Sequence, residues 1–303
     1  MRKRFYITVT LAMFAGFVSA QNDIQLSQQN FSRITYNPAA TGNSEYLNVA
    51  LFAREQWLGY DNAPSTQVLN AHKYFDKYKL GVGLQVVNDK LGIENTFNIK
   101  MAYAYHVWLQ DKMILSFGLS AGIIYKNLDG TNMILQEAND PLAFYGKSSK
   151  LKPDFDFGVE LNTPSYGFGA STTHLHTGLK GSDNFNMPRH YYLYGKYNYK
   201  PTEDITVIPQ LGLNSTQYIT IFEVNVVGNY KDLFWAGCSW RRKDAFVIMA
   251  GAKIHPMLKI GYAYDIGMGP VKSYSSGSHE IMLIGKFNAL NSKYYKKTPR
   301  FFD

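Results

Sequence analysis

Ser171 with His174 and His176 is the nearest this chain comes to a nucleophile beside a base. Such chemistry needs an imidazole within hydrogen-bond reach of the hydroxyl and a third group to orient the ring. No Gly-x-Ser-x-Gly elbow surrounds Ser171, no acidic residue stands at an orienting spacing, and both histidines open an expected loop. His174, His176 and the later His190 could share a metal if that loop folded over, although His-x-His alone carries little specificity. Asp154 and Asp156 fall on one face of a strand and read as solvated, loop-facing charge or an incidental calcium site. Arg241-Arg242-Lys243 marks an outer hairpin; it reads as a solvated tip, with surface polysaccharide or lipid phosphate as the functional alternative. With a single cysteine, Cys238, neither a disulfide framework nor a multi-cysteine metal site can form. Catalysis is not expected, and no cofactor or metal is.

A different kind of candidate runs from Arg54 through Gln56, Trp57, Gly59 and Tyr60 to Pro64 and Thr66. Gly59 and Pro64 set a turn, and Arg54, Trp57 and Tyr60 are expected at one rim. Arginine and tryptophan are frequent binding anchors, but an aromatic girdle around a hairpin explains the same residues.

The elements that must carry these residues are strands. Aromatic residues make up 15% of the 303-residue chain, charged residues only 18%, and there are 25 glycines. That mixture suits β-structure with many turns and interfacial rings, and argues against a helical bundle. The net charge of +8, part of it at Arg2, Lys3 and Arg4, is too mild to suggest nucleic-acid binding. Residues 1–20 read as a cleavable signal peptide: a basic start, an apolar stretch from Phe5 to Val18, and Val18-Ser19-Ala20 before the cut. Mature Gln21 is then first, and no cysteine follows to suggest a lipoprotein. Beyond residue 20 no apolar run is long enough for a membrane helix, a test that β-barrels escape.

From Ser44 onward, segments alternate with period two between turn residues. Phe97, Ile99, Met101, Tyr103 and Tyr105 face one way; Asn98, Lys100, Ala102, Ala104 and His106 face the other. Glu223 and Asp265 likewise fall opposite apolar faces. A charge such as Lys100 facing lipid would cost up to about 4 kcal/mol at mid-membrane, so the alternation fixes the inner face. The pattern predicts fourteen strands: 45–55, 65–74, 78–88, 94–108, 112–125, 151–161, 165–173, 189–200, 203–213, 217–229, 232–241, 244–254, 257–267 and 277–287. Connections after even strands are tight, and several after odd strands (126–150, 174–188, 268–276) are long, as outer-membrane barrels arrange them. The expected fold is an all-β transmembrane antiparallel barrel over 44–287. It stands in the outer membrane of a Gram-negative bacterium with both termini periplasmic.

Fourteen strands enclose a lumen that wall side chains alone cannot fill. Residues 21–43, which lack alternation but carry Tyr36-Asn37-Pro38-Ala39-Ala40-Thr41-Gly42, are either a plug near the periplasmic mouth or a plain lead-in. Residues 288–303, with Lys293, Lys296, Lys297 and Arg300 among aromatic residues, form a tail that either docks a periplasmic partner or stays disordered.

Gln28-Gln29, then Tyr36-Asn37-Pro38-Ala39 with Gly42, then Arg54-x-Gln56-Trp57-x-Gly59, Ala63-Pro64-x-Thr66 and Ser278-His279-Glu280 resemble the PorP/SprF family. These are outer-membrane proteins of the type IX secretion system in the Bacteroidetes. The resemblance covers about 22–287; Ala40-Thr41 stands where the family often has Tyr-Ala, and Asn62 where it often has Gly. It implies a barrel without enzymatic activity that helps export cargo bearing C-terminal secretion domains, often in gliding bacteria. The implied partners are the periplasmic ring lipoprotein, peptidoglycan-linked components, the cargo itself and outer-membrane lipid. Asn37, Pro38, Arg54, Gln56, Trp57 and Gly59 are the motif positions and partner-binding candidates. On this reading the lumen or rim receives the folded cargo domain. A channel for small or hydrophobic solutes, with residues 21–43 as its plug, and a surface adhesin using the long loops are the competing readings.

Overall fold

The computed structural model describes residues 23–44, 46–110, 112–131, 146–178, 185, 187–268 and 275–288. The expected signal peptide at 1–20, the tail beyond Asn288 and parts of the long loops lie outside the described residues.

Fourteen strands form one closed antiparallel barrel. They are β1 (Leu47–Glu55), β2 (Ser65–Phe75), β3 (Leu80–Leu91), β4 (Glu94–Gln110), β5 (Met113–Asp129), β6 (Lys147–Asn162) and β7 (Tyr166–Thr173). β8 (His190–Tyr197), β9 (Ile205–Ser215), β10 (Thr220–Tyr230), β11 (Phe234–Arg241), β12 (Ala245–His255), β13 (Leu258–Gly267) and β14 (Ser278–Phe287) complete it. Each strand pairs with its chain neighbours, and β14 closes on β1 with Arg54 opposite Glu280. All fourteen expected strands are present. β4, β5 and β6 run further than the alternation suggested: β5 and β6 go on pairing past the apolar belt, from Lys126 opposite Lys150 to Asp129 opposite Lys147, and β4 reaches Gln110 opposite Met113. β8 stops early at Tyr197: Asn198 turns to donate to the Ser165 carbonyl, and Pro201 follows.

Phe97, Met101, Tyr103 and Tyr105 are on the outer surface, whereas Asn98, Lys100, Ala102, Ala104 and His106 are buried inside. The same inversion holds all round: Leu119, Leu151, Phe168, Leu211, Phe246 and Ile281 are exposed, while Glu160, Glu223, Arg241, Asp265 and Glu280 are buried. An apolar outer belt around a polar interior is stable only when lipid replaces water outside.

Residues 23–44 contribute three short 3-10 turns, Gln29–Phe31, Arg33–Thr35 and Pro38–Ala40. They hydrogen-bond to Asn70 of β2, Gln85 of β3, His106 of β4, Glu160 of β6, Glu223 of β10 and Glu280 of β14. A segment bonded to opposite walls of a closed barrel lies in its lumen. It starts at Asp23, beside the end of β7 and the start of β8, where the longer loops are. It ends at Thr41 and Gly42, against His106 and His72 near the tight turns. Leu26 and Phe31 add an apolar seat on Phe52, Val247, Met249 and Met282, with the Phe31 ring 4.4 Å from that of Trp235. Burying a leucine such as Leu26 stabilises by roughly 1.5–3 kcal/mol.

Candidate functional site

The lumen joins the N-terminal segment to the wall through three clusters of buried side chains. Near the long-loop end, period-two alternation turns Arg54, Arg241, Asp265 and Glu280 inward from β1, β11, β13 and β14. Glu280 accepts the backbone N–H of Ser27 at 2.6 Å and of Gln28 at 2.8 Å. Arg54 donates from Nη2 to Asp265 at 2.7 Å and stands 3.5 Å from Glu280. Arg54 and Arg241 both reach the Ser27 hydroxyl, which itself donates to Asp265 at 2.6 Å. Two buried arginines thus balance two buried carboxylates, and the segment's own backbone N–H groups at Ser27 and Gln28 donate to Glu280. Removing one member of such a set is far more costly than removing an exposed ion pair.

In the middle of the lumen Arg33 Nε donates to Glu160 at 2.7 Å, and the Tyr194 hydroxyl donates to the same oxygen at 2.7 Å. Burial opposes charge on Arg33, but Glu160 outweighs it and holds the guanidinium more firmly protonated than usual. Burial pushes the Tyr36 phenol above its ordinary value. Asn37 is a shaped key. Its Oδ1 caps the Pro38–Ala40 turn by accepting from Ala39 N at 2.9 Å, while Nδ2 donates to Tyr194 and to the Val159 carbonyl. Pro38 occupies the first position of that turn, where its missing N–H is not needed. Facing glycines admit it: a Cβ on Gly158 would overlap the Asn37 side chain, and one on Gly118 the backbone of Pro38 and Ala39.

Asp23 lies among His174, His190 and Tyr192, with Asp154, Asp156 and Lys100 beneath. Ligand-type atoms of Asp154, Asp156 and His174 sit within 4.8 Å of one another. Lys100 Nζ contacts both carboxylates, at 2.9 Å from Asp156, so an ammonium supplies the positive charge a cation would bring. Burial opposes charging His174, but the Asp154 and Asp23 carboxylates prevail over it and over Lys100, and raise its pKa to about 10. Burial would raise the Asp23 carboxyl; His174, His190 and Lys100 instead hold it well below the carboxylate range. A raised histidine stabilises the seated segment fully below its ordinary pKa of 6.5, and that contribution fades as pH climbs toward about 10. Asp23 contributes above its ordinary 3.8 and loses its effect only in strong acid. The melting midpoint of the folded protein should therefore fall from pH 6.5 to 10 more steeply than that of His174→Gln. Parallel slopes in thermal scans of the two proteins would rule out a charged His174.

Several sequence readings change. Ser171 donates to the Tyr36 carbonyl at 2.6 Å instead of facing a base. His174 and His190 approach to 6.1 Å between rings, but His176 is exposed, so the three do not converge. Asp154 and Asp156 are buried lumen groups, not solvated loop charge, because β6 begins well before them. Arg241 belongs to the lumen, since β11 keeps its alternation to its last residue; Arg242 and Lys243 are the exposed tip.

The motif positions divide into two groups. Asn37, Pro38 and Arg54 are inside, and with Gln28 and Glu280 they hold the segment to the wall. Arg54 therefore stands in the lumen and not at the rim with Trp57 and Tyr60. Gln56, Trp57 and Gly59 lie in the β1–β2 connection, where Gln56 N donates to Pro64 O and Trp57 N to the Ser278 hydroxyl. Leu58 exchanges two 2.8 Å backbone hydrogen bonds with Ser276 and Gly277, clasping this loop to the β13–β14 connection. Gly59 (φ +93) makes that turn, and Asn62 (φ +57), a residue that tolerates the left-handed region, stands where the family often has glycine.

A closed fourteen-strand barrel with an apolar exterior and a polar, occupied lumen is an outer-membrane β-barrel. The family model described as type IX secretion system membrane protein PorP/SprF matches residues 18–284, and the chain belongs to that family. No curated protein matches the chain. Among solved structures it is similar to the Ralstonia pickettii toluene transporter TbuX, at 12% identity over 83% of this chain and 92% of that one, TM-score 0.51. It is also similar to the P. putida toluene transporter TodX (11% identity, 83% and 92% covered, TM-score 0.51). The CymD monoaromatic hydrocarbon channel is a further match (12%, 89% and 95%, TM-score 0.51). At these identities the likeness is one of fold.

Proposed function

We propose that this protein is a non-enzymatic outer-membrane component of type IX secretion that helps export or surface-attach cargo bearing C-terminal secretion domains. In gliding bacteria that cargo includes motility adhesins. The observation that carries the reading is family membership combined with a lumen occupied by the chain's own residues 23–44. A filled lumen leaves no room for a folded cargo domain, so the role in export is that of a scaffold working at the barrel's ends. The tight-turn end faces the periplasm, where the ring lipoprotein and peptidoglycan-linked components stand and where β14 hands the chain on to its basic tail. The loop clasp at Gln56, Trp57 and Gly59 lies at the opposite end, on the surface side.

The test is a comparison of surface and secreted proteomes with and without the gene. Loss of many proteins with C-terminal secretion domains is the result for a core component; loss of one large surface protein is the result for a dedicated escort. An unchanged exoproteome overturns the secretion reading, and reduced uptake of an aromatic hydrocarbon in the same strain would then establish a solute channel.

A further inference from the structure

Residues 23–44 descend the lumen step by step. Even strands run from the long-loop end to the tight-turn end, so depth is counted along them. Ser27 and Gln28 bond to Glu280, the third residue of β14, and Gln29 to Glu223, the fourth of β10. Asn30 then reaches Asn225, the sixth of β10. Ser32 and Thr35 accept from Asn70, the sixth of β2, and Gly42 donates to His72, the eighth. Asp23 stands above them all, against Thr173 at the end of β7 and His190 at the start of β8. The chain thus enters β1 at the tight-turn end, while Asp23 lies at the opposite mouth.

We propose that the mature amino terminus lies at the cell-surface mouth of the barrel, where Thr173, His174, His190 and Tyr192 latch Asp23. Resting on the secretion reading only for which end is periplasmic, this differs from the periplasmic amino terminus that the sequence predicts. Two residues separate Asp23 from the expected cut after Ala20, a reach of about 7 Å. They cannot return past a membrane belt about 25 Å tall while residues 23–44 fill the lumen. An uncut leader would hold Phe5 to Val18 beside that same mouth, away from the inner membrane such a stretch engages, so the seat also requires cleavage. The wall reads both parts of Asp23. Its backbone N–H donates to His190 Nε2 at 3.1 Å, and Asn214 Oδ1 fixes that tautomer by accepting from His190 Nδ1 at 3.1 Å. Its carboxylate accepts from the Tyr192 hydroxyl at 2.9 Å and the Thr173 hydroxyl at 3.3 Å, with His174 Nε2 at 3.4 Å. β14 is the last strand in the chain and pairs with β1, so the wall closes around the segment and no finished lumen is threaded. A surface partner gripping the terminus would act on the plug by its end.

The experiment is cysteine labelling in a Cys238→Ser background with a membrane-impermeant maleimide, on intact cells and after outer-membrane permeabilisation. Asn22→Cys reports the terminus, Arg242→Cys the exposed β11–β12 tip, and Lys77→Cys the exposed β2–β3 turn. Positions 22 and 242 should label on intact cells and position 77 only after permeabilisation. The intact mass should be that of a chain starting at Gln21. Asp23→Ala should speed labelling at position 22 by about tenfold or more, because hydrogen bonds to a buried carboxylate are among the stronger ones. Should that variant lose its heat-modifiable band on gels, Tyr192→Phe removes one donor and should give about a threefold gain. Unchanged rates in these variants overturn the latch. With both controls as expected, position 22 labelled only after permeabilisation, or not at all even with the latch broken, overturns the inference and leaves the secretion reading standing. A mass that retains residues 1–20 overturns it too. Exchanged controls overturn the orientation, and the inference with it, whatever the exoproteome comparison gives.

Discussion

Replacing Arg54 with alanine is expected to unseat the N-terminal segment while leaving the barrel wall intact. The substitution strips Glu280 of its only cation within 4 Å among the described residues and leaves Asp265 to Arg241 alone. Breaking a buried ion set by removing one partner costs about 3–5 kcal/mol, a shift of roughly two to three and a half orders of magnitude in the seated equilibrium. The cost falls on the segment, because Ser27 and Gln28 close this cluster from the lumen side while the β1–β14 ladder needs no side chain. In a Cys238→Ser background, Ser32→Cys should go from shielded to readily labelled by a membrane-impermeant maleimide once Arg54 is gone; Ser32 is 4% exposed. Arg54→Lys keeps the charge but cannot bridge Asp265 and Ser27 with a planar fork, so an intermediate labelling rate is expected. Glu55→Ala, one residue on and facing outward, should change nothing.

The second large effect is steric and involves no charge. Gly118 of β5 faces the lumen, and a Cβ there would overlap the Ala39 nitrogen and the Pro38 carbonyl carbon. Backbone cannot step aside as a flexible side chain can. Gly118→Leu should therefore lift the Pro38–Ala40 turn off the wall, at an overpacking cost of about 1–3 kcal/mol or more. Gly81→Val presses on the Thr41 carbonyl in the same way and should reproduce the phenotype at the other end of the turn. Gly267→Ala, with open space around it, is the matched control. The variants should keep the heat-dependent gel shift of a folded barrel yet expose Ser32→Cys to labelling. Shielding as complete as in the parent would show that residues 38–42 do not depend on this wall.

The wall was legible because its signal is local. Alternation over ten residues identifies a strand, and the cost of charge in lipid then says which face of Lys100 or Glu223 is inside. The contacts that fill the lumen were not legible in the same way. Residues 23–44 have no period, and their partners lie far along the chain: Ser27 meets Glu280 across 253 positions. Arg54 was obscured by its neighbourhood, since Trp57 and Tyr60 invite a rim reading. Its register with Ala50 and Phe52, both buried, is the feature that places it inside. Asp154 and Asp156 share their face with Glu160, which marks that face as the lumen wall. The motif residues came together only in three dimensions: Gln28, Arg54 and Glu280, from three separated stretches, meet in one buried cluster.

The barrel's own N-terminal segment, fastened by the motif residues Asn37, Pro38 and Arg54, holds it shut. Single-channel recording in planar bilayers tests this closure most directly. The unmodified protein should show no sustained conductance, while Arg54→Ala and Gly118→Leu should open stepwise currents through the vacated lumen. Steady currents through the unmodified barrel, equal in size to those of the variants, would contradict it.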